Sequence, residues 1–161
     1  MCGVGVDMQH EMRRKDREIS YTDAKNLLDC GEYGVLSTCG PDGQPYGIPL
    51  SYCVLNNVIY FHCALEGRKL LNIEHNNRVS FCVVGKTEIL PHQFATLYES
   101  VVVYGTVQEV FGEVRQQALE GLLAKYSSEY YSEGQEYIKA KDKLTRVFGV
   151  SIENISGKAR R

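Results

Sequence analysis

The sequence lacks the features that mark membrane, secreted and nucleic-acid-binding proteins. Its 161 residues contain no apolar run near 18 residues, so no transmembrane helix is expected. The first 20 residues lack the apolar core of a signal peptide, which favours a cytoplasmic location. The formal charge of −2 provides no positive excess for binding nucleic acid. The length fits one domain with a sizeable core.

The cysteines show no spacing typical of metal or redox sites. They occupy positions 2, 30, 39, 53, 63 and 82, and no pair forms Cys-x-x-Cys. Four lie in or beside apolar runs, which indicates buried thiols in a reducing compartment. His62 and Cys63 are adjacent, but neighbours on a strand point to opposite faces, so no metal site is predicted. Residues 2–7 contain glycines without a preceding strand or a third glycine in place, which argues against a dinucleotide-binding loop.

Hydrophobic patterns and turn residues predict a mostly antiparallel β protein. Gly40 to Gly43 predicts a turn between two paired strands, and Asn56-Asn57 predicts a type I′ hairpin. Pro45 and Pro49 place their strand at an edge or a bulge. The predicted strands cover residues 33–38, 45–54, 58–63, 78–85, 100–111 and 145–155, with a loop at 86–96. Helices are predicted between Thr22, as N-cap, and Gly31, and at 68–75, 113–125 and 133–141.

This order of elements predicts an α+β domain built on a small Greek-key-like antiparallel barrel with two or three flanking helices. A doubly wound parallel sheet is disfavoured because too few strands are joined by helices. We expect one domain at residues 17–158. A mobile, charged N-terminal arm at 1–16 and a basic tail at 159–161 flank it.

Residues 60–69 hold the most informative feature. A strand ends there, a glycine loop follows, and a helix begins with Arg68 and Lys69. Cations are unfavourable at a helix N-terminus unless an anion binds there, because the free N–H groups and the helix dipole already carry positive charge. A phosphate would satisfy both side chains and the helix start. The alternative is that both residues are solvated surface cations.

The order of motifs resembles the pyridoxamine-5′-phosphate-oxidase-like flavoprotein superfamily, in particular its branch of nitroimidazole-resistance proteins. The resemblance runs from about residue 11 to 158. The segments that carry it are Gly34-Val35-Leu36-Ser37-Thr38, residues 42–52, Ile59 to Ala64, Gly67-Arg68-Lys69, Val79-Ser80-Phe81, residues 98–105 and Ile155-Ser156-Gly157-Lys158.

The resemblance implies a split-barrel homodimer that binds FMN in two clefts at the subunit interface. The implied cofactor-binding residues are Gly47, Ile48, Pro49, Leu50, Ser51 and Tyr52 along the flavin, His62 and Cys63 at a strand end, and Arg68 and Lys69 at the phosphate. Ser100 would contribute across the interface. His62 is the one candidate catalytic side chain, as a proton donor, although a lone histidine at a strand end is more often structural.

The implied activity is an oxidoreductase that passes electrons from NAD(P)H through FMN to a small acceptor such as a nitroaromatic compound. Pyridoxamine phosphate oxidases carry an arginine at the position of Gly47 and a lysine at that of Tyr52, and the residues after Val150 do not match their substrate-binding segment. That activity is therefore not expected. The alternatives are a non-catalytic flavin- or heme-binding module and a structural dimer without a ligand.

Overall fold

A seven-stranded antiparallel sheet forms the centre of the protein. The computed structural model describes residues 12–161, so most of the predicted N-terminal arm lies outside the described residues. The strands are β1 (Gly34–Cys39), β2 (Pro45–Leu50), β3 (Cys53–Leu55), β4 (Val58–Cys63), β5 (Arg78–Leu90), β6 (Ala95–Glu109) and β7 (Arg146–Arg160). Their order across the sheet is β2-β1-β5-β6-β7-β4-β3.

The chain connectivity forces this sheet to curl into a barrel. β2 and β3 are the two edge strands, yet only Ser51 and Tyr52 separate them in sequence. Seven flat strands would place these edges roughly 29 Å apart at about 4.8 Å per spacing, whereas the connection reaches at most about 11 Å. The edges therefore meet without a hydrogen-bonded ladder between them. We call this junction, between β2 on one side and the β3–β4 hairpin on the other, the seam.

The barrel interior holds the main hydrophobic core. Its fully buried members include Phe61, Phe81 and Tyr52, and the rings of Tyr52 and Phe81 meet edge to face at 4.9 Å. Two helices contribute to the same core: α1 (Tyr21–Cys30) through Ala24 and Leu28, and α2 (Arg68–His75) through Leu70 and Ile73. Each fully buried aliphatic or aromatic side chain contributes about 1.5–3 kcal/mol to folding.

A second, smaller cluster lies on the outside of the barrel. Helix α3 (Gly112–Tyr126) packs Ala118, Leu119 and Leu122 against Tyr60 of β4 and Val147 of β7. Helix α4 (Tyr131–Lys141) contributes only Ile138, at the margin of this cluster. The outer faces of β3, the first part of β4 and the first part of β7 are thereby covered.

Several turn predictions are confirmed. Asn56 and Asn57 both have positive φ, at 50° and 63°, and they join β3 to β4 as a hairpin. β1 and β2 pair antiparallel across the turn at residues 40–43, and the proline-bearing β2 is an edge strand. Gly105 lies at a bulge where a Cβ would be 1.8 Å from the Ser151 carbonyl oxygen, so only glycine fits.

Other predictions were wrong. Residues 86–96 extend β5 and β6 into a long hairpin instead of a loop, because Thr87 to Leu90 pair with Ala95 to Tyr98. The predicted strand 45–54 is divided at Ser51, which raises the strand number to seven. Ser20, not Thr22, caps α1, since its Oγ accepts the Asp23 N–H at 3.1 Å. The last strand continues through Arg160, where the sequence predicted a tail.

The Tyr52 hydroxyl fastens the β2–β3 connection to α1, and this contact yields a stability prediction. Tyr52 Oη donates to the Leu28 carbonyl in the buried core. Tyr52→Phe should leave that carbonyl without a partner and lower the free energy of unfolding by about 1–3 kcal/mol. Urea unfolding at constant m-value measures the change.

Tyr137→Phe is the matched control. Tyr137 is 65% exposed, and its hydroxyl makes no hydrogen bond within residues 12–161, so its loss should leave stability unchanged. Equal unfolding free energies for Tyr52→Phe and the wild-type protein would contradict the role of this hydroxyl.

Candidate functional site

The start of α2 lies at the seam. Gly67 precedes the helix with φ of 141°, a backbone conformation that favours glycine, and no side chain caps the helix. The first helical residues are Arg68, which is exposed, and Lys69, which is partly buried. The helix therefore presents free N–H groups and two cations in one place.

Arg68 and Lys69 reach the two sides of the seam. The Arg68 guanidinium lies 5.3 Å from the ring centre of Tyr46 on β2, a cation–π contact. Lys69 lies close enough to His62, near the end of β4, to act on its protonation. Within the described residues, neither cation forms an ion pair with a carboxylate. Their charge is thus available to an external anion.

His62 is exposed and faces away from the barrel core. Its neighbours Phe61 and Cys63 are buried on the other face of β4. The surrounding protein partly desolvates the imidazole and, with the Lys69 ammonium as a second cause, lowers the pKa of His62 below its ordinary value. The ring is therefore neutral at pH 7 and would become protonated only in more acidic solution.

A buried polar chain fixes α2 against the sheet. Asn72 Nδ2 donates to Thr38 Oγ1 at 3.0 Å, and Thr38 Oγ1 donates to the Tyr46 carbonyl at 3.4 Å. Asn72 and Thr38 are the buried polar side chains of the described core. These contacts join α2, β1 and β2. They fix the position of the helix that carries Arg68 relative to β2.

The predicted flavin-flanking strand divides its side chains between two environments. Ile48 and Leu50 pack against the core, and Tyr52 is completely buried. Gly47, Pro49 and Ser51 are exposed. Gly47 and Pro49 alternate with the inward-facing residues and lie on the outer face of the barrel. A ligand at β2 would therefore meet small side chains and a free backbone edge.

Cys63 lies in the core at the end of β4. Burial, the first cause, raises the pKa of its thiol, although the nearby cations Lys69 and Arg146 oppose the shift. Arg146, opposite Cys63 on β7, forms a two-point ion pair with Glu109 at 2.8 and 2.5 Å. Cys63, which the sequence predicted to bind the cofactor, thus adjoins the seam, but its side chain points into the core.

Ser100 lies apart from the other predicted site residues. β6 is separated from β2 by β1 and β5, a distance of roughly 14 Å along the sheet. Ser100 alternates with buried Val101, so it lies on the outer face of the barrel. The structure therefore brings together Arg68 with Tyr46 at the start of β2, and Lys69 with His62, and it leaves Ser100 outside this group.

The outer face of the barrel on β1, β5, β6 and the end of β7 carries mainly small and apolar side chains, with Tyr104, Asn154 and Lys158 as its larger or polar members. Cross-strand registers place them in rows: Ser37, Ser80, Tyr104 and Asn154 in one, and Val35, Cys82, Val102 and Ser156 in the next. The third row contains Val84, Ser100 and Lys158. No described helix contributes to a hydrophobic cluster on this face. We call it the open face.

The sequence pattern of the pyridoxamine 5′-phosphate oxidase family matches residues 21–159. The chain belongs to this family. The family assignment and the antiparallel split barrel predicted from sequence are thus confirmed. None of the curated proteins matches the sequence significantly.

Solved structures of several other proteins share this fold. A candidate 5-nitroimidazole antibiotic resistance protein from Bacteroides thetaiotaomicron is 17% identical, with TM-score 0.72, over 88% of this chain and 86% of that one. A FAD-binding protein from Mesorhizobium loti is 25% identical, with TM-score 0.63, over 90% and 98%. A FAD- and heme-binding protein from Mycobacterium smegmatis is 15% identical, with TM-score 0.78, over 90% and 74%.

Sequence reasoning assigned no role to Tyr46, Thr38 or Asn72 in this family member. Tyr46 alternates with exposed residues on an edge strand, which gives no hint of a contact with Arg68. Asn72 offered a signal, because it is a polar residue between the apolar positions Leu71 and Ile73 of a short helix. Among residues 12–161, no three metal-ligating side chains are grouped to hold an ion, and no helix is long and apolar enough to span a membrane.

Proposed function

We propose that the protein is an FMN-binding flavoprotein that transfers electrons from NAD(P)H to a small acceptor such as a nitroaromatic compound. The observation that carries the proposal is the pair of unpaired cations, Arg68 and Lys69, at the uncapped start of α2. Backbone N–H groups, the helix dipole and both cations lie at the same helix start, an arrangement that favours an anion there. The FAD-binding proteins with the same fold support a flavin as the ligand.

We propose FMN in particular as the flavin. Arg68 and Lys69 would hold its terminal phosphate, because a dianion gains most from charge-assisted hydrogen bonds to two cations. The free edge of β2, with the small residues Gly47, Pro49 and Ser51, would flank the ring system. When bound, FMN supplies the two-electron chemistry, while the protein orients it and its reaction partners.

Pyridoxamine phosphate oxidation is not proposed, despite the family's name. Gly47 has no side chain to bind a substrate phosphate, and Tyr52 is buried with its hydroxyl bonded to Leu28. Neither position supplies the cation that the oxidases carry there.

We further propose that the flavin cleft is completed by a second copy of the chain. Ser100 lies roughly 14 Å from β2 within one chain, so it reaches a flavin at the seam only from a partner. The open face offers Val102, Cys82 and other small residues for close, isologous packing of two sheets.

A test of the phosphate site is the double substitution Arg68→Ala and Lys69→Ala. It should weaken FMN binding by about 3–5 kcal/mol, because several charge-assisted hydrogen bonds are lost. Titration followed by flavin absorbance measures the affinity. Lys139→Ala with Lys141→Ala removes the same charge from the last turn of α4 and should not change it.

Unchanged FMN affinity in the Arg68 and Lys69 double variant would refute the phosphate site. A heme absorption band in the purified protein, with no response to added FMN, would favour the heme-binding alternative.

A further prediction concerns His62, which would donate a proton to the acceptor as the acceptor is reduced. His62→Ala should keep FMN bound but lower turnover per bound flavin by about 10²–10⁴-fold if proton transfer limits the rate. Because the imidazolium is the active form and its pKa is lowered, wild-type turnover should rise as pH falls below about 6.5. The variant should lose this rise.

Full flavin occupancy with wild-type turnover and pH profile in His62→Ala would remove this residue from the mechanism. The protein would then be a flavin-binding module or would use a proton from solvent.

Another prediction concerns the assembly of two chains through the open face. Val102→Asp places a charge in the middle of the open face and should produce monomers with weakened FMN binding, because a buried unpaired carboxylate is costly. Light scattering gives the mass. Leu144→Asp, at a position 57% exposed on the α4–β7 connection, is the control and should remain dimeric. A wild-type monomer that binds FMN fully would contradict the two-chain cleft.

A further inference from the structure

A groove distant from the seam has its own binding chemistry. It is open to solvent, lies at the tip of the β5–β6 hairpin and has a volume of about 470 Å³, within the size range of small-molecule sites. Arg17, Arg160 and Tyr98 form its polar side, and Leu90, Pro91 and Phe94 are among its apolar lining residues. Arg17 belongs to the short 3₁₀ turn Lys15–Arg17 that precedes α1.

The two arginines converge on one tyrosine. Arg160 of β7 is directly opposite Tyr98 of β6 in the strand register. Arg17 Nη1 donates to Tyr98 Oη at 3.4 Å, and its guanidinium lies 6.0 Å from the ring centre. Tyr98 thereby holds Arg17 near Arg160, although two like charges repel each other.

The Arg14 guanidinium and, to a smaller extent, Arg17 lower the pKa of Asp16, whose carboxylate is hydrogen-bonded to Arg14. Neither Arg17 nor Arg160 forms an ion pair within residues 12–161. Glu99 follows Tyr98 but belongs to the other face of β6, where it lies 3.8 Å from Arg161. Two partly buried guanidinium groups that form no ion pair of their own are suited to a phosphate, which they can bind with paired N–H donors.

The apolar side of the groove suits a planar group. Phe94 lies at the hairpin tip with 99% of its surface exposed and φ of 49°, a strained conformation for a bulky residue. Exposed aromatic rings of this kind bind other flat rings by stacking. The groove thus combines a phosphate-sized positive region with a neighbouring aromatic surface.

We propose that this groove binds a nucleoside phosphate, with the phosphate between Arg17 and Arg160 and the base against Phe94 and Leu90. The groove lies beside Ser100, because Tyr98 and Ser100 share the outer side of β6 two residues apart. If the proposed function holds, the bound nucleotide is the electron donor's own nucleotide portion. The binding site itself does not depend on a flavin.

Calorimetric titration with AMP tests the proposal, with adenosine and inorganic phosphate as the two partial probes. AMP should bind at least about tenfold more tightly than either probe, since it alone uses both sides of the groove. Arg160→Gln and Arg17→Gln should each weaken AMP binding by about tenfold or more, and Arg160→Lys should recover part of the loss. Lys143→Gln, an exposed cation outside the groove, should leave binding unchanged.

The same samples separate this proposal from the flavin proposal. Flavin absorbance should show equal FMN affinity in Arg160→Gln and in the wild-type protein, which also verifies that the variant is folded. AMP binding that is absent in the millimolar range, or unaffected by Arg160→Gln, would overturn the nucleotide site. Equal affinity for AMP and inorganic phosphate would also overturn it, because the groove would then recognise only an anion.

Discussion

The two-residue connection between β2 and β3 is the constraint on which the rest of the structure depends. Ser51 and Tyr52 join the opposite edges of a seven-stranded sheet, so the sheet has to close on itself. Tyr52 stabilises the closure, since its ring packs on Phe81 and its hydroxyl bonds to α1. Tyr126 Oη adds a bond from outside by accepting the Tyr52 N–H at 3.0 Å.

The candidate site follows from this closure. The seam has no hydrogen-bonded ladder, so one edge of β2 keeps free backbone groups beside the end of β4. Helix α2 begins there with Arg68 and Lys69, and the buried Asn72–Thr38 bond fixes the helix against the neighbouring strand. A phosphate at the helix start and a planar ring along β2 would thus be held by groups that the barrel already positions.

Local signals in the sequence were sufficient for much of the fold. Asn56-Asn57, the turn at 40–43 and the two prolines of β2 act through neighbouring backbone geometry, so their effects could be predicted. The cations of α2 were recognisable because they oppose the helix dipole. The division of the strand at Ser51 was not predictable, because it results from closure of the whole sheet. The β5–β6 extension was also missed, since its polar residues match a loop and only pairing between its two halves makes it a hairpin.

The site was predictable only in part for a similar reason. Arg68, Lys69 and His62 are close in sequence, and Lys69 lies near His62 at one end of the seam. Tyr46 and Thr38 join them through contacts between distant segments, which no local pattern reveals. The direction of Cys63 into the core depends on which face of β4 the barrel encloses. Alternation along the strand places Cys63 and His62 on opposite faces of β4, but it does not predict which face meets a ligand.

The central claim is that the start of α2 recognises a terminal phosphate. Its most direct test compares the affinities of the wild-type protein for FMN and for riboflavin, which differ by the phosphate alone. If Arg68 and Lys69 bind the phosphate, FMN should bind at least about 100-fold more tightly than riboflavin, as expected for two charge-assisted contacts. Equal affinities for the two flavins would contradict the account.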